Sequence, residues 1–144
     1  MSQVYTFRRR IEFRETDMAG IVHFSNFFAY MEQAEHDFLR SVGMGVICEA
    51  DGKKISWPRV NAQCNYRVAI KFEELIDIRV TVEKIGTKSV TYAFDFYRDE
   101  TQIADGKMTA VCCLFSADSH GKKPESIAIP PSFIKAISPF ATTT

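Results

Sequence analysis

Between Thr16 and Ser25 the chain reads Thr16-Asp17-Met18-Ala19-Gly20-Ile21-Val22-His23-Phe24-Ser25, with one carboxylate and one imidazole among uncharged neighbours. A carboxylate oxygen can attack a carbonyl carbon or take a proton from water. If a helix begins just after it, the backbone N–H groups of the first turn have no intrahelical acceptor, and they can receive the negative charge that develops on the carbonyl oxygen. Those are the parts that acyl transfer needs. The same residues have a plainer use: an Asp ahead of a glycine serves as a turn residue whose side chain bonds the N–H groups that follow it. His23 divides in the same way, between tuning Asp17 or binding an acyl group and being an ordinary surface imidazole. His36, beside Glu35 and Asp37, and His120, in a polar loop, read as solvated.

The flanking periodicities supply the elements that hold this stretch. Tyr5, Phe7, Ile11 and Phe13 alternate with polar residues, broken only at Arg9, which predicts a strand with one buried side. From about 26 to 42, Phe27, Met31, Ala34, Phe38 and Val42 fall at spacings of three and four, which predicts a helix; Ser25 or Asn26 can cap it and Gly43 can end it. Residues 49–56 are turn-rich and read as a surface connection. Four strands then follow, led by Val60, Ala62, Cys64 and Tyr66 alternating with the amides Asn61, Gln63 and Asn65. Ile76–Ile85, Val90–Phe96 and Ile103–Phe115 complete the set, the last apolar enough toward its end to be buried on both sides. Pro130-Pro131 opens a short terminal helix, and the end from Ala141 is expected to fray. A strand, a helix and four mostly hairpin-linked strands predict an α+β domain with an antiparallel sheet on a helix.

The run Ile11-Glu12-Phe13, Asp17, Ala19-Gly20-Ile21-Val22, Phe24, Asn26-Phe27 resembles the signature of the 4-hydroxybenzoyl-CoA thioesterase family. The resemblance implies the hotdog fold, an antiparallel sheet wrapped around one long central helix. It makes Asp17 the catalytic carboxylate, as nucleophile or as general base, and the Phe24 backbone N–H the oxyanion donor. Some branches of the family carry His where Phe24 stands; the register here is closer to the hydroxybenzoyl branch, which has an aromatic residue at the position of His23. Lys88-Ser89 matches a Lys-Ser pair of that branch and is expected to meet a phosphate of coenzyme A, against the alternative of a soluble hairpin lysine; Arg59, Lys122 and Lys123 are weaker candidates. Gly20, Phe27, Phe28 and Met31 are assigned to the acyl-binding side, with plain core packing as the rival role for the apolar three. Gln63 or Asn65 is expected to orient water or substrate across a subunit interface, or else to lie on a solvated face. Family members form dimers whose sheets join, often paired into tetramers, so a homodimer or homotetramer with sites between subunits is expected.

Composition narrows the remainder. The chain's 144 residues suit one domain, 1–144. With 18 basic and 18 acidic residues, net charge argues for neither nucleic acid nor an acidic membrane as partner. Cys48, Cys64, Cys112 and Cys113 form no C-x-x-C spacing, so neither zinc nor a dithiol motif is indicated, and buried thiols in a reducing compartment are expected. The opening MSQVYTFRRRIEF lacks the apolar run of a secretory signal and no segment is apolar for long enough to span a membrane, so a cytoplasmic protein is expected. Gly43-Met44-Gly45 follows a helix instead of opening one and is no dinucleotide fingerprint, and neither G-x-S-x-G nor H-E-x-x-H occurs. The expected function is hydrolysis of an acyl- or aroyl-CoA thioester, or an acyl-carrier thioester, with no metal or cofactor, coenzyme A being part of the substrate. The rivals are a hydratase or dehydratase acting on enoyl or hydroxyacyl thioesters, and a binding module without turnover.

Overall fold

The computed structural model of the chain describes residues 2–116 and 123–142. His120 and Lys122 lie outside them. The main sheet has five antiparallel strands: β1 (Tyr5–Arg10), β5 (Leu75–Ile85), β6 (Ser89–Arg98), β7 (Thr101–Val111) and β4 (Arg59–Tyr66), in that spatial order. A smaller sheet is built from β2 (Ile47–Ala50), β3 (Lys53–Ser56) and β8 (Cys113–Leu114). Helix α1 (Asn26–Ser41) lies on the main sheet, and α2 (Pro131–Ile137) follows near the end of the chain.

Alternation decides which face is covered. Ile76, Ile78, Val80 and Val82 of β5 are fully buried, as are Val90, Phe94 and Phe96 of β6, and they meet Phe27, Met31, Ala34 and Phe38 from α1. The opposite face carries cross-strand polar pairs such as Arg8–Asp77, Lys107–Glu83 and Thr91–Thr109. The helix reaches the sheet closely at Gly106, because a Cβ there would run into the Met31 side chain and the Gln63 carbonyl. At its far end Gly43 adopts φ +78°, its N–H bonding the Arg40 carbonyl while Met44 N–H bonds that of Leu39. That paired closure is a Schellman motif, the stop expected at this glycine.

The helix begins and ends where its spacing indicated, but the picture of a long helix enclosed by the sheet needs correction. At 16 residues it spans about 24 Å, and it lies across one face, with Ala29, Glu32, Gln33 and Arg40 exposed on its other side. Three further expectations change. The first strand stops at Arg10, and Phe13, in a 3₁₀ turn, is 74% exposed. Residues 49–56 pair as the β2–β3 hairpin instead of forming a plain surface connection. The run from Ile103 is one-sided only in its middle, where Met108 and Ala110 are buried while Lys107 is exposed; consecutive residues are buried at its ends, Ile103-Ala104 and Cys112-Cys113, as expected toward the last of these, and the strand breaks at Cys112 before β8. The anomaly at Arg9 also finds its cause. Arg9 sits on the inward face, 11% exposed, with Nη2 donating to both carboxylate oxygens of Glu15, Nη1 to Gln33, and its guanidinium over the Tyr30 ring.

Candidate active site

The loop between β1 and α1 is a short reversal closed by its own backbone. Asp17 N–H bonds the Ile21 carbonyl at 2.8 Å, Gly20 N–H bonds the Asp17 carbonyl at 3.0 Å, and Thr16 bridges Val22. Gly20 takes φ +80° with open space where a Cβ would go, so conformation and not room requires glycine. Asp17 does perform the turn role: its Oδ1 accepts the Ala19 N–H at 2.8 Å. Its Oδ2 accepts nothing from the described residues, and the side chain is exposed. One oxygen is therefore fixed while the other stays available.

The start of α1 is arranged differently from a capped helix. Ser25 makes no side-chain cap; its hydroxyl meets His23 Nδ1 at 2.8 Å, and its N–H also points to that nitrogen. The N–H groups of Asn26, Phe27 and Phe28 bond the carbonyls of His23, Phe24 and Ser25, each three residues back. This tight first turn satisfies most of the orphan donors. Among the described residues, the Phe24 N–H donates to no acceptor. The loop thus presents one free carboxylate oxygen and one free peptide donor.

Neighbouring elements hold it in place. Val22 N–H bonds the Ile70 carbonyl, Ile21 bridges Lys71, and both His23 N–H and the Asn26 side-chain amide bond the Glu15 carbonyl. From the end of β4, the Tyr66 hydroxyl donates to the Phe24 carbonyl at 3.1 Å. Beneath these contacts an apolar cavity of ≈ 220 Å³ is lined by Val22, Phe24, Phe27, Tyr66 and Ile70, among others. That volume suits one small acyl or ring-sized group, since a cavity of about 150 Å³ already accepts benzene. A wider cleft of ≈ 520 Å³ opens beside Arg9, Arg10 and Arg14, but Arg9 and Arg14 are already paired with Glu15 and Glu12.

The residues expected at the site divide into groups. Asp17, Gly20, His23 and Phe24 share the loop, and Phe27 lines the cavity with 4% exposure. The His23 ring stacks on Phe24 and hydrogen-bonds within Ser25, with no bond to Asp17. Met31 is fully buried against Gly106, in the core. Asn65 projects to the opposite face of β4, its amide donating to Asp105 at 3.0 Å. Lys88 and Ser89 stand at the far end of β5, a strand of 11 residues and about 35 Å from the end beside the loop. His36, expected in solvent, is half buried, its Nε2 without a hydrogen-bond partner among the described residues, and burial lowers its pKa.

Sequence reasoning missed three residues. Tyr66 appeared only as one apolar position of a strand, although an aromatic with a hydroxyl at a strand end is a recognisable tether. Glu15 anchors the loop by its carbonyl and Arg9 by its side chain. Glu35, 1% exposed, pairs with Arg59 of β4, and its pKa rises to about 7 through burial, opposed by Arg59. Its position four residues after Met31, on the apolar stripe, was the available signal.

No helix of the described residues is long and apolar enough to cross a membrane, and among them no cluster of His, Cys, Asp and Glu could hold a metal ion. Residues 19–104 match the family described as the Thioesterase superfamily. The match begins just after Asp17. A protein of Aquifex aeolicus (strain VF5), provisionally named an esterase, is 30% identical over 100 residues, covering 69% of this chain and 77% of its own. A 1,4-dihydroxy-2-naphthoyl-CoA hydrolase of Prochlorococcus marinus subsp. pastoris is 26% identical, covering 78% and 77%. The solved structure of a gentisyl-coenzyme A thioesterase superposes with a TM-score of 0.74 at 28% identity, covering 94% of this chain and 99% of that one. The match spans more than half of the chain, and the sheet-on-helix architecture is that of the same proteins: the chain belongs to the thioesterase superfamily, as a thioester hydrolase of the hotdog fold.

Proposed function

We propose that this protein hydrolyses an acyl- or aroyl-CoA thioester to the free acid and coenzyme A, with Asp17 as the reacting carboxylate and the Phe24 N–H as oxyanion donor. The observation that carries the proposal is the pairing, in one short loop, of an unengaged Asp17 Oδ2 with an unengaged Phe24 N–H above an apolar cavity. The thioester carbonyl oxygen sits at the Phe24 N–H, and the acyl group fills the cavity. As a base, Asp17 takes a proton from water while the water oxygen bonds the carbonyl carbon; the tetrahedral intermediate then expels the thiolate, which leaves with a proton. As a nucleophile, Asp17 bonds the carbonyl carbon itself, thiolate departs, and water cleaves the resulting anhydride. Both routes place negative charge on the same oxygen, where one such donor is worth about 10²–10³ in rate. Neither needs a metal or a cofactor.

We also propose that the working unit is a homodimer or homotetramer with each site between subunits, acting in the cytoplasm. Two observations support a covered loop. Met18 and Phe24 are exposed at 106% and 61%, and edge strand β4, which carries exposed Val60 and Tyr66, leaves one side unpaired. Long unpaired edges bearing apolar residues are normally covered. In such an assembly Lys88 and Ser89 serve a neighbour's site, meeting the phosphates of coenzyme A.

The test is thiol release from a panel of aroyl-CoA and aliphatic acyl-CoA thioesters, with Asp17→Asn alongside and the oligomeric state measured by light scattering. The parent should turn over, and the variant should lose at least about a hundredfold in kcat while remaining folded. Equal activity of the two proteins would remove Asp17 from the chemistry. Absence of cleavage across the panel, with binding retained, would make the chain a thioester-binding module instead, and a change in enoyl absorbance without thiol release a hydratase.

A further inference from the structure

We infer that Tyr66 is a positioning residue: its hydroxyl, through the Phe24 carbonyl, fixes the direction in which the Phe24 N–H points. The role assigned to Tyr66 rests on the donor role proposed for Phe24. Among the described residues, Tyr66 is the only side chain that donates to a backbone carbonyl of residues 23–25; the other bonds to those carbonyls come from the first turn's own N–H groups. The Phe24 carbonyl receives two donors, Phe27 N–H at 3.3 Å and Tyr66 Oη at 3.1 Å. The first is long and belongs to a turn that lacks a capping side chain, so the second supplies the restraint from outside. The ring is itself restrained, edge-on to Phe24 at 6.4 Å and to Phe27 at 5.0 Å. Its backbone is set by the β4–β7 ladder, where Tyr66 lies opposite Ala104.

A peptide donor contributes to catalysis only while it is aimed at the position of the oxyanion. A residue bonded at both ends of its backbone holds that aim. The peptide plane that carries the Phe24 N–H also carries the His23 carbonyl, held by Asn26 N–H at 2.9 Å; Tyr66 holds the next plane, at the Phe24 carbonyl, while the N–H itself stays open for the substrate. Without the tyrosine hydroxyl, the residue would rotate about its backbone torsions and the donor would spend less time in the productive direction. Binding of the acyl group would change little, because the phenyl ring of a Tyr66→Phe variant still walls the cavity. The signature is therefore a fall in kcat with KM preserved.

The experiment compares parent and Tyr66→Phe by two independent readouts. In the first, kcat and KM are measured with one aroyl-CoA and one short aliphatic acyl-CoA. The expected result is a loss of about tenfold in kcat for both substrates, equivalent to roughly 1.4 kcal/mol, with KM within about twofold. A raised KM with unchanged kcat, differing between the two acyl groups, would show Tyr66 to be cavity wall only and overturn the inference. In the second, ¹⁵N relaxation is measured on the protein without substrate. The Phe24 order parameter should drop from about 0.85 toward about 0.6 while the amides of β6 stay rigid. If it is unchanged, Tyr66 does not position this peptide, whatever the kinetics show. Should the parent cleave no thioester at all, the hydrolase proposal fails and the relaxation result alone decides the tether.

Discussion

Glu35 is a carboxylate inside the interface between α1 and the main sheet, and replacing it with glutamine has a calculable effect on stability. Burial raises its pKa from 4.5 to about 7 even though Arg59 pairs with it and acts in the opposite direction. Unfolding returns the group to its ordinary value. Between the two values the folded protein holds a proton that the unfolded chain has lost, so this contribution is complete below the unfolded pKa and disappears as pH rises through the folded one. The interval of about 2.5 units corresponds to about 3 kcal/mol between about pH 4.5 and pH 8, or roughly 10 °C in Tm for a chain of this length. Glu35→Gln has no proton to exchange. The remaining groups facing this site are Glu32 and His36 on α1 and Tyr92 on β6, and all are present in both proteins. The depressed pKa of His36 acts with the reverse sign, reducing stability as pH falls below about 6.5, and with Nε2 3.9 Å from Glu35 Oε1 its titration responds to the substitution as well. Denaturant unfolding of both proteins across this range gives the effect of Glu35, with its coupling to His36, as the difference of the two profiles. That difference should shift by about 3 kcal/mol in favour of the variant at high pH. Parallel profiles, within about 0.5 kcal/mol, would mean that Glu35 stays ionised throughout and that the pairing with Arg59 outweighs burial.

Two further outcomes follow from packing. Gly106→Ala should destabilise by about 1–3 kcal/mol, because the new methyl meets both Met31 and the Gln63 carbonyl, the latter at 2.9 Å; an unchanged Tm would show that α1 and β4 can part without cost. Cys112 is fully buried, and burial pushes its thiol pKa up to about 11. Iodoacetamide at about pH 8 should therefore leave it unmodified in the folded protein and label it in denaturant, as read by peptide mass mapping; ready labelling in the native state would contradict the burial.

Much of the fold was legible because its signals are local. Period two over β5 and β6, period near 3.6 over α1 and the glycine at its end each depend on residues close in sequence. Errors arose where the deciding partner is remote. Phe13 kept the alternation but lies past the point where Ile11 turns to bond Glu74, far along the chain. Arg9 looked like a flaw in an apolar pattern and Glu35 passed as one of the charged residues around His36, and each is explained by an opposite charge, Glu15 in the loop and Arg59 in β4. The loop itself was readable from Asp17 to Phe24, since its turn uses only its own backbone and one side chain. Its supports were not: Tyr66 and Ile70 reach it from more than 40 positions away, and no spacing in the sequence encodes that approach.

The order of the strands in the sheet also governs when, during synthesis, the site can exist. A nascent chain ending near residue 60 already contains Asp17, Phe24 and all of α1. It lacks Tyr66 and Ile70, which dock the loop, and β5, against which β1 pairs. Strand β4, which carries Tyr66, gains its own partner only when β7 appears some forty residues later. At about 5–20 residues per second, the loop waits for seconds as an untethered segment beside an unpaired strand. Thioester cleavage is thus a late event in the life of each chain, and its onset during cell-free translation would time the closing of the sheet.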